Sequence, residues 1–458
     1  MLEGPVGSTL LRLALPMMMG IVSVMLINIV DTFYIGQLGV RELAAISFTF
    51  PVISTLMSLA FGVGIGTSAV LSRTIGKGNL ARVRQLTTHS LLLIALGMAF
   101  ISFLGMITLN TLFRAMGAEE DLIPLIREYM LIWYLGVGLV AIPIVGNSAI
   151  RASGDSKTPS LVMMMAAIIN AVLDPLLIFG LGPFPQMGIQ GAAVATVISY
   201  CCALMAGLWV LGRKKDMLDL SFPSPKRIWE SWKHVLYIGL PAGLTSMLAP
   251  VSTAVLTRMV SDYGEDAVAA FGVGTRMESL ATIGMMALSA ILTPFIGQNL
   301  GAGNQQRIFT AMKYITRFSI VWGIVACIIL AVVAVPLATL FSESEHVQDL
   351  ISSFLWIVPI SYGFYGMAML AVSACNGLQK PIQATAINLM RLFLLILPLA
   401  WFGSWGWGLT GLFAGLSAGN IFSGTSAMFW VRKRMLPQMK TVQRYPLILT
   451  EFEKLLRG

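Results

Sequence analysis

Charge is scarce in this chain. Only 11% of its 458 residues are Asp, Glu, Lys or Arg, where a soluble globular domain carries about 25%. With 57% hydrophobic residues and a mean hydropathy of +0.82, the chain reads as a polytopic membrane protein. The formal net charge of +9 is spread over short connections. There it orients a chain in a bilayer and carries no expectation of nucleic-acid binding. Histidine is rarer still: His89, His234 and His346 are scattered, so no metal cluster can be assembled from them. The four cysteines, Cys201, Cys202, Cys327 and Cys375, fall in apolar runs without CxxC spacing and read as small buried hydrophobes. No GxxxxGK[ST] occurs, and the glycine-rich pieces Gly62–Gly66 and Gly297–Gly303 follow no strand, so no nucleotide site is expected. Those small residues instead allow close helix approach. No apolar run holds a Ser/His, Cys/His or His/Asp set, so the chain is not expected to be an enzyme, and it needs no cofactor. The start, Met-Leu-Glu-Gly-Pro, lacks the basic region of a removable signal peptide.

Long apolar runs are what the chain has in abundance. Twelve are long enough to span a bilayer, at about 11–35, 44–72, 87–113, 122–146, 160–180, 190–212, 236–259, 268–297, 314–341, 350–374, 383–401 and 409–431. Nothing alternates at period two, which excludes a barrel. Basic residues gather in alternate connections: Arg73, Lys77, Arg82 and Arg84; Arg151 and Lys157; Arg213, Lys214 and Lys215; Arg307 and Lys313; Arg432, Lys433 and Arg434. The other connections are poor in base and often acidic. The positive-inside rule then puts both termini in the cytoplasm, and an even span count agrees. The expected location is the inner (plasma) membrane.

The longest polar connection divides the chain into an N-terminal six-helix lobe over 1–220, a cytoplasmic connecting loop over 221–235, a C-terminal six-helix lobe over 236–435 and a cytoplasmic tail over 436–458. The lobes repeat. Leu15-Pro16 matches Leu240-Pro241, Leu43–Ile46 matches Val268–Phe271, and Gly76–Asn79 matches Gly301–Asn304, all at an offset of 225 residues. Gly154 with Pro159 echoes Gly377 with Pro381, and Gly188–Gly191 echoes Gly408–Gly411. An even number of spans per copy makes the repeats parallel. Two such bundles rocking about a cleft is a transporter design.

Few charges lie within the spans, and an ionisable residue at membrane depth is functional by default. Asp174 sits mid-run, with Asn170 one turn earlier on the same face and Pro175 directly after. Pro175 cannot donate to the helix ladder and frees the Ala171 carbonyl. Acid, amide and loosened carbonyl suit a proton or a small cation such as Na+. Asp31, with Asn28 on the same face, reaches a similar depth in the outer half of span 1. Thr196 in span 6 can add a hydroxyl. Pro16 is a candidate hinge for span 1. In the second lobe Glu278 and Arg391 are a candidate polar pair joining two spans. Asp31 has Leu256 as its counterpart, so ion coupling is expected in the first lobe.

On these residues the chain resembles a multidrug and toxic compound extrusion (MATE) transporter over essentially its whole length. The resemblance rests on Leu15-Pro16, Asp31 with Gly36, Ser153–Pro159, Asn170–Pro175, Gly188–Thr196 and Gly297–Asn304, in that order and across two six-span halves. It implies an all-α fold of twelve membrane helices in two pseudo-symmetric bundles. It implies export of bulky cationic or amphipathic organic compounds by antiport with H+ or Na+ through alternating access, and a monomer suffices for this. It places Asp31, Asn170, Asp174 and Thr196 on the first-lobe proton or cation site, with Na+ as the candidate metal, and Pro16 where span 1 bends. Pro241–Leu256 and Ile351–Ala374 hold no acid, which is similar to the DNA-damage-inducible (DinF-like) branch. The alternative is a lipid-linked precursor flippase or metabolite exporter of the same superfamily.

Overall fold

The computed structural model describes residues 1–219, 221 and 224–435. The expected tail over 436–458, and residues 220, 222 and 223 of the expected connecting loop, lie outside the described residues. Those described are helical, with no strand among them. The order is α1 (Val6–Gly36), α2 (Val40–Gly76), α3 (Leu80–Ala115), α4 (Ile123–Ala152), α5 (Lys157–Phe179), α6 (Ile189–Trp209), α7 (Pro225–Ser261), α8 (Glu265–Ala281), α9 (Ile283–Gly301), α10 (Gln305–Phe341), α11 (Glu345–Ile357), α12 (Tyr362–Gly377), α13 (Pro381–Leu389) and α14 (Leu397–Trp430). Their outer faces carry large exposed apolar side chains such as Phe103, Leu135, Val332 and Leu340. In water such surfaces would be covered; here hydrocarbon covers them, and the chain is a multi-pass membrane protein.

Four expectations about the elements change. The run at 268–297 is not one helix: it breaks at Thr282 into α8 and α9, and the Thr282 hydroxyl donates to the Glu278 carbonyl at 2.8 Å. The run at 350–374 contains a tight turn of 3-10 helix, Val358–Ser361, around Pro359, whose missing N–H interrupts the ladder. The run at 383–401 contains a π-helical stretch, Met390–Ile396, between α13 and α14. The connecting segment is helical from Pro225, which opens α7 with its φ already set for a helix.

Among the described residues eleven continuous stretches are long and apolar enough to span, the last running from Pro381 to Lys433. That last one holds two spans, because Trp407 and Gly408 leave helical geometry inside α14. Gly403 meets Gly411, Leu399 meets Gly415 and Ile396 meets Gly419, which is an antiparallel hairpin. Gly408 makes the turn at φ 62, ψ −145, a conformation open in practice to glycine alone.

The chain divides into two compact units. The first comprises Leu11–Leu248 with Thr293–Gly301; the second comprises Met1–Leu10, Ala249–Leu292 and the described residues from Ala302. The division therefore falls within α1, α7 and α9 and at the end of α9. In the first unit α4 is the central helix, packed by α2, α3 and α6, with Met130, Val137, Ala141 and Val145 fully buried. Glycine at 62 and 66 lets α2 approach α7 at Gly239 and Gly243, where a Cβ on Gly239 would lie 2.9 Å from the Gly62 carbonyl oxygen. In the second unit α12 is central, flanked by α10, α13 and α14.

Candidate functional site

Helices α1 and α5 run side by side in the first unit and meet at two levels. At one level the Ser160 hydroxyl donates to the Pro16 carbonyl, and a Cβ on Gly20 would sit 3.1 Å from the Ser160 Cα. The other level lies fifteen residues along α1 and fourteen along α5, about 21–22 Å at 1.5 Å per residue. There Asp31 and Asp174 bring their carboxyl groups within hydrogen-bonding reach of each other. Equal advance along two parallel helices is why residues 143 positions apart in sequence come together.

Asn170, Asp174 and Thr196 are buried. The Asn170 side-chain amide donates to Asp174 Oδ1 at 3.2 Å and lies 3.4 Å from Thr196 Oγ1. Both are long bonds from one nitrogen, so the cluster is loosely tied. Three oxygens in it have no partner: Asp31 Oδ1, Asp174 Oδ2 and Asn170 Oδ1. A buried acceptor without a donor is costly, at about 1–3 kcal/mol. Three together on adjoining helices single this cluster out as the candidate functional site. No Lys or Arg figures among the groups acting on either acid. Helix α5 continues through Pro175 and closes on Gly180, whose left-handed φ of 71 caps it.

Asn28 stays apart. It is exposed, and its amide donates to the Val24 carbonyl of its own helix at 3.0 Å. In its place the structure adds side chains with no polar spacing to reveal them. Tyr129 on α4 senses the charge of both acids, and Tyr200 on α6 senses that of Asp31. Trp133, one turn beyond Tyr129, turns its indole nitrogen toward the phenol and has no full hydrogen bond of its own. An aromatic in an apolar helix reads as packing, so only the fold reveals these neighbours.

In the second unit Glu278 feels the charge of Arg391, but the two are not joined as an ion pair. The expected direct pair is corrected to a stack. The Arg391 guanidinium lies over the Tyr365 ring at 4.2 Å, and its Nε has no partner. The π-helical stretch shifts the register at Arg391 and turns it toward α12. The four cysteines are unpaired, and no group of three or more His, Cys, Asp or Glu able to hold a metal occurs among the described residues.

Outside the spans, Asp155 fastens the α4–α5 connection. It accepts from the Thr158 amide at 3.0 Å and from its hydroxyl at 2.8 Å, and pairs with Lys215 at 3.0 Å. Burial alone would raise its pKa; the bonds from Thr158 and Lys215 outweigh burial and hold it below the usual carboxylate range.

Comparison with known proteins agrees with this architecture. The MatE family profile matches residues 16–176 and again 241–402, so the repeat is itself two copies of one family unit. The chain is 41% identical over 440 residues to a protein named FAD transporter from Shewanella oneidensis, covering 96% of this chain and 97% of that one. It is 27% identical to the probable multidrug resistance protein YpnP of Bacillus subtilis, over 96% of this chain and 97% of that protein. Its fold superposes on the Vibrio cholerae MATE transporter VcmN in the bent form with a TM-score of 0.91 at 31% identity, covering 95% of this chain and 98% of that one. Two copies of one family unit, twelve spans and overall likeness to a solved member leave one assignment: the chain belongs to the MATE family of membrane transporters.

Proposed function

We propose that this chain is a secondary antiporter of the plasma membrane that exports an organic solute in exchange for a proton carried by Asp31 and Asp174. The observation that carries this reading is the contact between the two carboxyls, with no basic side chain acting on either. Two carboxylates that close cannot both ionise cheaply, so the pair holds a proton that one conformation binds more tightly than another. A ligand shifts a two-state equilibrium only by its differential affinity for the two states. Gain or loss of that proton changes the charge between α1 and α5, and α1 responds about Pro16, where Ser160 holds its carbonyl. Asn170 and Thr196 orient Asp174 and offer it polar neighbours when it ionises.

A second reading of the coupling ion rests on the orphaned oxygens. Asp31, Asn170, Asp174 and Thr196 present an oxygen-only set that fits Na+, a hard cation, which would neutralise the same charge. The absence of acid from Pro241–Leu256 and Ile351–Ala374 supports coupling through the first unit alone, as in the DinF-like branch.

For cargo, the name of the 41%-identical relative points to flavin adenine dinucleotide, while relatives at 24–27% identity carry multidrug names. We take the flavin dinucleotide as the first candidate and cationic or amphipathic drugs as the second. A guanidinium stacked on Tyr365 at membrane depth favours an anionic aromatic cargo. Cytoplasmic termini and action as a monomer belong to the same proposal.

The test is export from proteoliposomes of FAD in one set and ethidium in another, each under an imposed proton gradient or an imposed sodium gradient. Uphill export of FAD under the proton gradient, lost in Asp174→Asn, is the expected result. Export that ignores both gradients, or survives Asp174→Asn unchanged, overturns the coupling proposal. Ethidium export without FAD export overturns the cargo assignment.

A further inference from the structure

A cavity in the second unit lies away from both polar clusters. It occupies about 520 Å³ at the end of the unit where α10 begins and α14 finishes, and Met367 of α12 contributes to its wall. Lys313, Arg432 and Lys433 converge on it, and among the described residues no acidic side chain lines it. Lys433 is steadied by the Phe429 ring, 4.8 Å from its Nζ. A second space of about 500 Å³ shares Thr425 and Phe429 with the first and continues along α14 between Phe422, Leu395 and Met390. Its walls are largely apolar, with Thr425 and Ser426 the two hydroxyl-bearing residues, and Phe422 and Phe429 are more than half exposed in a membrane-spanning helix, so this groove faces hydrocarbon.

We infer that the two spaces form one binding site for an anionic phospholipid, its phosphate among Lys313, Arg432 and Lys433 and one acyl chain in the groove along Phe422. Dimensions and charge both carry this. From Lys433 to Phe422 α14 advances eleven residues, about 16 Å at 1.5 Å per residue. One leaflet of hydrocarbon is about 15 Å deep, half of a ~30 Å core. Three cations at the head with largely apolar walls below, broken only by the Thr425 and Ser426 hydroxyls, match a lipid with a negative head and a long tail. A soluble dinucleotide would satisfy the cations and leave the groove empty. The van der Waals walls of Met390, Leu395 and Phe422 would then hold nothing that distinguishes them from ordinary lipid-facing surface.

The site is independent of the transported cargo, and so is its test. Full-length protein in mixed micelles containing equal amounts of phosphatidylglycerol and phosphatidylcholine is examined by native mass spectrometry. Wild type retains phosphatidylglycerol in preference to phosphatidylcholine, by about fivefold for each basic side chain engaged. K313Q/R432Q/K433Q brings the two lipids to parity. Should that variant fail to fold, K313Q and R432Q singly each lower the preference. S426W, which fills the groove, lowers retention of phosphatidylglycerol with all three cations intact. Equal retention of both lipids by wild type, or a preference unchanged in K313Q/R432Q/K433Q, overturns the inference. Displacement of the bound lipid by excess glycerol 3-phosphate also overturns it, since that identifies a plain anion pocket.

Discussion

The two copies of the repeat share their turns and differ in their charges. Gly39 and Gly264, Gly78 and Gly303, and Gly188 and Gly408 all take positive φ, at 153 and 98, 74 and 75, and 53 and 62. Each pair closes or opens equivalent helices, so the backbone of one copy is rebuilt in the other. At the level of Asp31 and Asp174, however, the second copy offers Leu256 and a stretch from Pro381 to Trp407 with no acid at all. Its membrane-depth charges include Arg276 and Glu278 on α8 and an Arg391 laid over Tyr365. Duplicated scaffold with unduplicated acids is the asymmetry on which the proposed coupling through the first copy rests.

The largest expected effect separates the acids. Asp174→Asn, or Asp31→Asn, lowers gradient-driven export about 100-fold, the upper range of a coupling energy, whereas Leu256→Ala leaves it within about twofold. Proteoliposome export assays on the three variants check this. A large loss in Leu256→Ala would mean that the copies share the coupling task. Next, Arg391→Gln raises the KM for FAD about tenfold while the pH dependence of export stays as in wild type. A shifted pH profile would instead tie Arg391 to the coupling ion.

Stability provides the symmetric test. Gly188→Ala and Gly408→Ala each force a side chain into backbone conformations that only glycine adopts readily, and each costs about 1–3 kcal/mol. Thermal melting in detergent should show drops of similar size, and one silent variant would break the equivalence of the two turns. The smallest effect is at Asp155. Its depressed pKa means that its contribution is present above the ordinary carboxylate value of 3.8 and is lost as pH falls through the folded value, in the acid range below about pH 4. Asp155→Asn therefore destabilises the protein slightly at pH 7, by less than ~1 kcal/mol for a partly exposed ion pair, and lowers its melting temperature a little. The difference from wild type should vanish at low pH.

Some equivalences were misread from letters alone. Gly154 looks like the partner of Gly377, but the residue that repeats its positive φ is Gln379, 225 positions on, at φ 58 against 93. A glutamine stands where glycine is expected because the turn and not the side chain was retained. Pairing Glu278 with Arg391 was equally reasonable by charge. The π-helical stretch inserted before α14 changed the register, and an aromatic face took the guanidinium instead.

The sequence by itself determined the solvent, the span count, the duplication and the presence of two acids inside apolar runs, since each is read along the chain. Hydrophobicity over about 20 residues selects the bilayer, repeated glycines mark repeated turns, and a lone carboxylate in an apolar run must have a purpose. Only the tertiary structure decided which helices stand beside one another and how each is rotated. That rotation joined Asp31 to Asp174, left Asn28 outside, brought Tyr129 and Tyr200 toward the acids, and set Lys313 beside Arg432 and Lys433. The reason is physical. In an apolar helix every face is hydrophobic enough to bury or to leave in lipid, so periodicity cannot choose the inward one. Close packing against neighbouring helices chooses it.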